Sequence, residues 1–198
     1  VQLSVKIRLG YSDPDEHLAV IEVLDRHPLT EVTLHARTGD QMYTGVADVR
    51  RAARALALCQ HPFVYNGDIT EPAGFHALRE RLPGAAGWMI GRGALRNPFL
   101  PALIRGEALP PDGVRRERLR TFHDLLYEGY RAGAGDPRQV LARMKGQWYY
   151  LAHAFADPPR VESRIQLCRG LSAYTDAIQR IFDQPLDGLN PRSPRCTS

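Results

Sequence analysis

Two short turns between residues 64 and 95 carry glycine beside polar side chains, each at the end of an apolar segment. The first is Asn66-Gly67-Asp68 and the second is Gly91-Arg92-Gly93. Glycine lets a backbone approach a ligand closely, and a helix that begins at such a turn offers unpaired N–H groups to an anion. Because the turns lie one βα unit apart, the spacing predicts that both contact one phosphate. Two ordinary βα turns without a ligand are the alternative.

Cations and a histidine lie on two earlier predicted strands. Lys6 is one of only two lysines among 26 basic residues, which favours a role for a compact ammonium that a planar guanidinium cannot fill. Alternation predicts that Lys6 and Arg8 share one strand face; inside a barrel they would need an anionic or electron-rich partner. His35 and Arg37 lie at the end of the next strand. An exposed edge strand and a structural histidine are the alternatives.

The first 105 residues repeat a strand followed by a helix four times. The strands are predicted at 3–9, 31–35, 62–65 and 85–90. This alternation is typical of a parallel α/β fold, and all four strands place their polar groups at the carboxyl ends. Four units are half of an eight-stranded barrel. We therefore expect residues 1–105 to form half of a (β/α)₈ TIM barrel, which cannot close by itself.

The composition changes after residue 105. Residues 106–113 are a predicted linker, 114–186 a predicted small all-α helical bundle, and 187–198 have the composition of a disordered tail. Residues 1–110 hold 12 basic and 12 acidic side chains, whereas residues 111–198 hold 14 and 10, so the whole net charge of +4 lies in the second part. This excess permits a nucleic-acid partner, and a solvated helix surface explains it equally well.

One helix of the predicted bundle combines cations with aromatic residues. Arg143 and Lys145 stand close to Trp148 and Tyr149. Such a combination suits an RNA backbone with stacked bases. By pattern alone, an amphipathic core helix with a charged outer face is the preferred interpretation.

The cysteines and the apolar runs exclude several classes of protein. Cys59, Cys168 and Cys196 lie far apart without a CxxC spacing, so we expect neither a disulfide framework nor a metal site. No apolar run reaches membrane-spanning length, so no membrane contact is expected and a cytoplasmic location is the default. The chain enters a predicted strand at once, without an initiator Met or a signal segment, so we expect a fragment of a longer protein.

Four segments of the first part together resemble the tRNA-dihydrouridine synthases. They are VKIRLG at 5–10, LHARTGDQMYTG at 34–45, NGDI at 66–69 and MIGRGALRNP at 89–98. Their order fits the second half of that family's flavin-binding barrel. Two further segments, RMKGQWYYLAHAF and SRIQLCRGLSAYTDAIQRIF, are similar to the C-terminal domain of the C-type enzymes. The resemblance covers almost the whole chain.

The resemblance implies an FMN-dependent reduction of uridine to 5,6-dihydrouridine in tRNA, with NADPH as electron source and uridine 16 of the D-loop as target. It implies that Lys6 and His35 contact the flavin. A cation beside the flavin pyrimidine edge would stabilise the reduced ring. The ribityl phosphate would be held by Asn66, Gly67, Asp68, Gly91 and Arg92. On the substrate side, Arg37 and Tyr43 would face RNA, and Arg143 and Lys145 would belong to a tRNA-binding domain. A monomer is expected for the full-length protein.

The chain departs from the family pattern in one respect that bears on activity. The family's proton-donating cysteine lies in a GCP-type loop of the first half of the barrel, and this sequence has no such motif. We therefore expect the catalytic cysteine upstream and the chain alone to be inactive. Another FMN- or phosphate-binding barrel oxidoreductase and a non-catalytic RNA-binding remnant are the alternatives.

Overall fold

The computed structural model describes residues 2–133 and 136–186, and the chain divides into two compact units, Val1–Ala94 and Leu95–Ser198. The division falls within a short helix, upstream of the predicted linker at 106–113. The predicted tail at 187–198 lies outside the described residues. The predicted domain boundaries stay a prediction.

The first unit contains a four-stranded parallel sheet whose strands follow one another in chain order. The strands are β1 (Ser4–Arg8), β2 (Glu31–His35), β3 (Phe63–Asn66) and β4 (Gly87–Met89). β2 and β3 are largely buried and rich in β-branched and aromatic side chains, whereas β1 and β4 are more exposed. The parallel α/β fold is therefore confirmed. That this sheet is half of an eight-stranded barrel stays a prediction.

Three helices connect the strands: α1 (Glu16–Leu24), α2 (Val49–Leu58) and α3 (Pro72–Arg81). The carboxylate of Asp48 caps α2 by accepting a hydrogen bond from the Arg51 N–H, and proline starts α3. Side chains of the sheet and helices form the core of this unit, among them Ile21, Val32, Leu34, Ala52, Phe63, Tyr65 and Phe75. Parallel strands covered by helices in this way direct their carboxyl ends to one edge.

The second unit is helical in its described residues. After α4 (Arg92–Arg96), which spans the division, come α5 (Leu100–Ile104), α6 (Asp112–Gly133), α7 (Pro137–Leu151), a 3₁₀ turn (Ala152–Ala154), α8 (Pro158–Gln166) and α9 (Leu171–Phe182). Because α6 begins at Asp112, its first turn occupies the end of the predicted linker. One apolar core joins α6, α7, the 3₁₀ turn, α8 and α9, with Met144, Trp148, Val161, Ile165 and Ile181 fully buried.

A buried hydrogen-bond chain crosses this helical core. The Trp148 indole N–H donates to the Tyr174 hydroxyl (2.9 Å), which lies 2.7 Å from Nε2 of His123. Nδ1 of His123 lies 2.7 Å from a carboxylate oxygen of Asp124. Burial lowers the pKa of His123 despite the opposing hydrogen bond and charge of Asp124. All four polar groups are satisfied when Nδ1–H donates to Asp124 and the Tyr174 hydroxyl donates to Nε2.

Within the described ranges, none of the helices combines the length and the apolar character that a transmembrane segment requires.

Candidate functional site

The register of the parallel sheet assembles the predicted site residues at one edge. Arg8, His35, Asn66 and Met89 are successive partners across the four strands, at or next to their carboxyl ends. Lys6 lies two residues earlier on the same face as Arg8, because strand side chains alternate. The four register partners, which are far apart in sequence, thus lie in one row, with Lys6 one pleat earlier on β1.

An open pocket of about 310 Å³ lies at this edge. Its wall includes all seven residues that the sequence predicted for cofactor binding: Lys6, His35, Asn66, Gly67, Asp68, Gly91 and Arg92. Tyr43, predicted for the substrate side, also lines it. Arg37 does not. The structure brings the residues together, while the individual binding role of each stays a prediction.

The turn Asn66-Gly67-Asp68 owes its shape to two unusual backbone positions. Gly67 has φ +157°, and a Cβ placed there would lie 2.8 Å from Cβ of Ala47 and 2.9 Å from the Tyr65 hydroxyl. Asp68 has φ +48°, in the left-handed region. The Asn66 side-chain N–H₂ donates to the Met89 carbonyl (2.8 Å), which ties the turn to β4.

A helix follows each turn, as the sequence predicts, but at different distances. α3 begins only at Pro72, because the left-handed Asp68 interrupts the helical path and proline sets the helix start. α4 does begin at Arg92, but it has five residues and therefore a weak dipole. An anion here would be held by side-chain cations and turn N–H groups.

Asp68 is held by two arginines. Its carboxylate accepts two hydrogen bonds from the Arg37 guanidinium, at 2.8 Å each, and one from Arg92 at 3.3 Å. The backbone N–H of Ala47 also donates to it (2.9 Å). Burial alone would raise the pKa of Asp68, but these hydrogen bonds and the charges of Arg37 and Arg92 outweigh burial and lower it. Asp68 is therefore ionised and compensated.

The second turn leaves space beside its backbone. A Cβ on Gly91 would meet no atom within 4 Å, so this glycine faces the open pocket. Arg92 places its guanidinium carbon 4.5 Å from the centroid of the Tyr43 ring, on the other side of the pocket. Arg92 thus bridges the second turn, Asp68 and the loop that carries Tyr43.

The loop 38–46 contributes Tyr43 to the pocket wall, and side-chain hydrogen bonds hold the loop in place. Arg8 donates to the Thr38 carbonyl (2.7 Å), and Arg37 donates to the Gly45 carbonyl (2.8 Å). Gln41 donates to the carbonyls of Thr44 and Val46. The exposed Tyr43 ring also lies near Arg8. The Arg8 guanidinium carbon is 5.8 Å from the centroid of the Tyr43 ring.

The pocket is electrostatically positive. Three cationic side chains, Lys6, Arg8 and Arg92, line it with a single carboxylate, Asp68. Desolvation, followed by the charges of Lys6 and Arg8, lowers the pKa of His35 to about 4, so its ring is neutral near pH 7. Desolvation and the neighbouring Arg8 also lower the pKa of Lys6. In both cases burial has the larger effect on the pKa, and the neighbouring cations add to it.

These residues fit a phosphate group. The three pocket cations can pair with phosphate oxygens, and the open face of Gly91 lets backbone approach them. Asp68 does not oppose such binding because Arg37 already compensates its charge. Among the described residues, no group of three or more His, Cys, Asp or Glu side chains could hold a metal ion.

Sequence reasoning left several pocket residues out of the predicted site. Arg8 was predicted to face the inside of the barrel but was assigned no role. The structure pairs it in register with His35 at the strand ends, which makes it part of the site. Ile69, Thr70, Met89, Ile90 and Gly93 also line the pocket. Gly93 belongs to the predicted second turn but was assigned no binding role of its own. The others are small or apolar residues within or next to the family-like segments, and their side chains alone do not indicate a site.

The helical candidates occupy different faces of α7. Arg143 is exposed, and its guanidinium carbon lies 5.5 Å from the Tyr130 ring centroid. Lys145 donates to the Gln166 carbonyl at the end of α8 (2.8 Å). Trp148 is fully buried, so it belongs to the core, whereas Tyr149 is exposed. The pairing of these cations with Trp148 is therefore absent, and the RNA role of Arg143 and Lys145 stays a prediction.

Neither described cysteine lies at the pocket. Cys59 follows α2, before β3, and so lies toward the amino ends of the strands. Cys168 lies in the helical unit and donates to the Arg164 carbonyl. Burial raises the pKa of both thiols, which keeps them protonated near pH 7. Cys196 lies outside the described residues.

Known proteins resemble this chain over most of its length. The family profile for dihydrouridine synthase (Dus) matches residues 1–150. A tRNA-dihydrouridine synthase B of Xanthomonas axonopodis pv. citri is 34% identical over 96% of this chain and 58% of its own length. A tRNA-dihydrouridine(16) synthase of Cupriavidus necator is 35% identical, over 89% of this chain and 57% of its own length.

A third relative, tRNA-dihydrouridine synthase B of Proteus vulgaris, is 29% identical over 91% of this chain and 55% of its own length. The chain thus spans a little over half the length of these curated relatives. The family match covers more than half of the chain, including every residue that lines the pocket. The chain therefore belongs to the dihydrouridine synthase family.

Proposed function

We propose that this chain is part of a flavin-dependent tRNA-dihydrouridine synthase. The enzyme reduces uridine to 5,6-dihydrouridine in the D-loop of tRNA, at uridine 16, with NADPH as electron source. The names of the relatives support the reaction, and the Cupriavidus relative supports the position. The observation that carries the proposal is the single pocket that contains all seven predicted cofactor residues.

FMN is the cofactor that we assign to this pocket. When bound, FMN supplies the reducing equivalents for the C5=C6 bond of uridine. Arg92, with the turn N–H groups near Asn66, Gly67, Asp68 and Gly91, holds the ribityl phosphate. Lys6 and the neutral His35 contact the ring system, where the Lys6 ammonium stabilises negative charge.

Tyr43 and the helical unit make the contacts with tRNA. The Tyr43 ring is 57% exposed beside the pocket, which suits stacking against a splayed base. Arg143 and Lys145 on α7 contribute phosphate contacts in the helical unit, whose part of the sequence carries the net positive charge. The full-length enzyme acts as a monomer in the cytoplasm.

The proton that completes the reduction comes from a group that the described residues do not include. Neither described thiol lines the pocket, and both have raised pKa values. A cysteine in the barrel half preceding this chain supplies it, so the chain alone does not turn over substrate.

The decisive experiment purifies the complete gene product and records its visible spectrum. A flavin spectrum that survives gel filtration is expected. The protein is then incubated with NADPH and tRNA from a host that lacks its own dihydrouridine synthases. Mass spectrometry should detect a mass gain of two hydrogen atoms in an oligonucleotide that contains uridine 16. A protein that neither binds FMN nor forms dihydrouridine would overturn the proposal. The same assay on this chain alone should yield no dihydrouridine.

A further inference from the structure

Arg37 is the most deeply buried cation near the pocket. Its side chain is 2% exposed, and the pocket wall does not include it. A guanidinium is costly to bury unless its donors are paired. Here four of its five N–H groups have partners: two donate to Asp68, one to the Gly45 carbonyl and one to the Thr44 carbonyl.

These partners belong to two different segments of the chain that both contribute to the pocket. Asp68 lies in the turn after β3, whereas Thr44 and Gly45 lie in the loop 38–46 that carries Tyr43. Asp68 also accepts from the Ala47 N–H just beyond that loop. Arg37 and Asp68 therefore form one buried connection between the turn and the loop.

Asp68 is the one residue of the pocket wall whose charge opposes an anion. Its carboxylate is 35% exposed and contacts Arg92, which faces the same pocket. Left uncompensated, this carboxylate would repel the phosphate oxygens and would compete with them for Arg92. The two-point pairing with Arg37 compensates this charge, and together with the Ala47 N–H it holds the carboxylate in place.

We propose that Arg37 is a positioning residue of this pocket, which enables phosphate binding without touching the phosphate. It compensates the charge of Asp68, so that Arg92 is available to the anion, and it fastens the loop 38–46 against the turn. The inference rests on the proposed flavin site. The sequence predicted that Arg37 contacts RNA directly. Because its side chain is only 2% exposed and can offer RNA almost no surface, we propose instead that Arg37 acts through Asp68.

The test compares two flavins that differ only in the phosphate. The dissociation constants of FMN and of riboflavin are measured for the complete gene product by flavin fluorescence. In Arg37→Gln we expect FMN to bind about tenfold more weakly, because the Asp68 charge is no longer compensated. Riboflavin should bind as to the parent protein, since it carries no phosphate. Arg51→Gln is the matched control, because Arg51 pairs with Asp15 and Asp48 outside the pocket.

Rescue distinguishes positioning from direct contact. The double variant Arg37→Gln/Asp68→Asn removes both charges, and we expect it to bind FMN within about threefold of the parent protein. If Arg37 touched the phosphate, the double variant would bind as weakly as Arg37→Gln, and the proposal would be overturned. It would also be overturned if Arg37→Gln bound FMN normally. If Arg37→Gln does not fold, the double variant alone decides between these outcomes.

The failure of the flavin assignment is recognisable separately. A parent protein that binds inorganic phosphate but neither flavin refutes the proposed function, and the same variants then test Arg37 with phosphate as the probe. A parent protein that binds none of the three ligands overturns both proposals. Hydrogen exchange gives a second readout: the Ala47 amide, which donates to Asp68, should lose protection in Arg37→Gln and keep it in Arg51→Gln.

Discussion

The Asp68 carboxylate and the Arg37 guanidinium form a two-point ion pair with both N–H···O distances at 2.8 Å. The fork of arginine matches a carboxylate in this geometry, which a lysine could not reproduce. The pair links β3 to the end of β2, on residues that are 31 positions apart. Its strength should therefore be visible in the stability of the first unit.

Asp68→Asn should destabilise the chain by roughly 2 kcal/mol, because it leaves the Arg37 guanidinium buried without its counter-charge. This is less than the loss for a fully buried pair, since the Asp68 side chain is 35% exposed. Urea unfolding followed by the fluorescence of Trp88, which lies on β4, measures the effect in the first unit.

The exposed pair of Asp15 and Arg51 provides the comparison. Both side chains are about a third or more exposed, so Asp15→Asn should lower the free energy of unfolding by less than Asp68→Asn does. If Asp68→Asn and Asp15→Asn lowered the free energy of unfolding equally, the burial of Arg37 would not strengthen its ion pair with Asp68.

Substitution by alanine should destabilise the protein at one pocket glycine and leave its stability almost unchanged at another. Gly67→Ala should cost about 2 kcal/mol of stability, because φ +157° disfavours a side chain and the new Cβ would lie 2.8 Å from that of Ala47. Gly91→Ala should change stability by less than about 0.5 kcal/mol, since nothing lies within 4 Å of its Cβ.

The same pair separates folding from binding. The methyl group of Gly91→Ala enters the pocket, so this variant should lose FMN affinity while it keeps its unfolding midpoint. Calorimetric binding and urea unfolding of both variants check the expectation. Unchanged FMN binding in Gly91→Ala would remove Gly91 from the phosphate site.

The sheet and its site were predictable because their signals are local. The alternation around Lys6, the β-branched run before His35 and the glycines after Val64 each fix a strand and its end. Parallel pairing then brings the strand ends together without further information. The strands begin and end within two residues of the predicted positions for this reason.

The partners of the site residues were not predictable from the sequence. Arg37 has the same local pattern as a surface arginine two residues beyond a strand, and nothing nearby in sequence indicates Asp68 as its partner. Trp148 stands beside cations in the sequence, yet helical geometry turns it into the core. Tertiary packing decides which side of a helix becomes buried. It also decides ion pairs between residues that are distant in sequence, such as Arg37 and Asp68, which are 31 positions apart.

His35 should make the stability of the first unit depend on pH. Its pKa is about 4 in the folded chain, below the ordinary histidine value of about 6.5. The unfolded chain therefore takes up a proton that the folded chain does not, and stability falls as the pH decreases from about 6.5 to about 4. His35→Asn should reduce this fall, which urea unfolding at several pH values measures.

The same histidine reports on where the phosphate lies. The proposed site places the phosphate at the turns that carry Gly67 and Gly91, and the flavin ring beside Lys6 and His35. FMN and riboflavin should therefore change the pKa of His35 by similar amounts. NMR titration of the imidazole protons with each flavin measures the change. A pKa of His35 that differs between the two complexes would place the phosphate close to His35 and would contradict the assignment of the ring to this end of the pocket.

Arg143 tests the assignment of α7 to tRNA. Its side chain is exposed and stacks on Tyr130, so Arg143→Ala should leave the core intact while it removes one cation. Removing one cation that pairs with an RNA phosphate should reduce the salt dependence of log K by about 0.7 to 0.9. Filter binding of tRNA to the complete gene product at several salt concentrations measures this slope. Arg143→Lys keeps the charge and should keep the slope. If Arg143→Ala has the parent slope as well, α7 does not contact the RNA backbone through this residue.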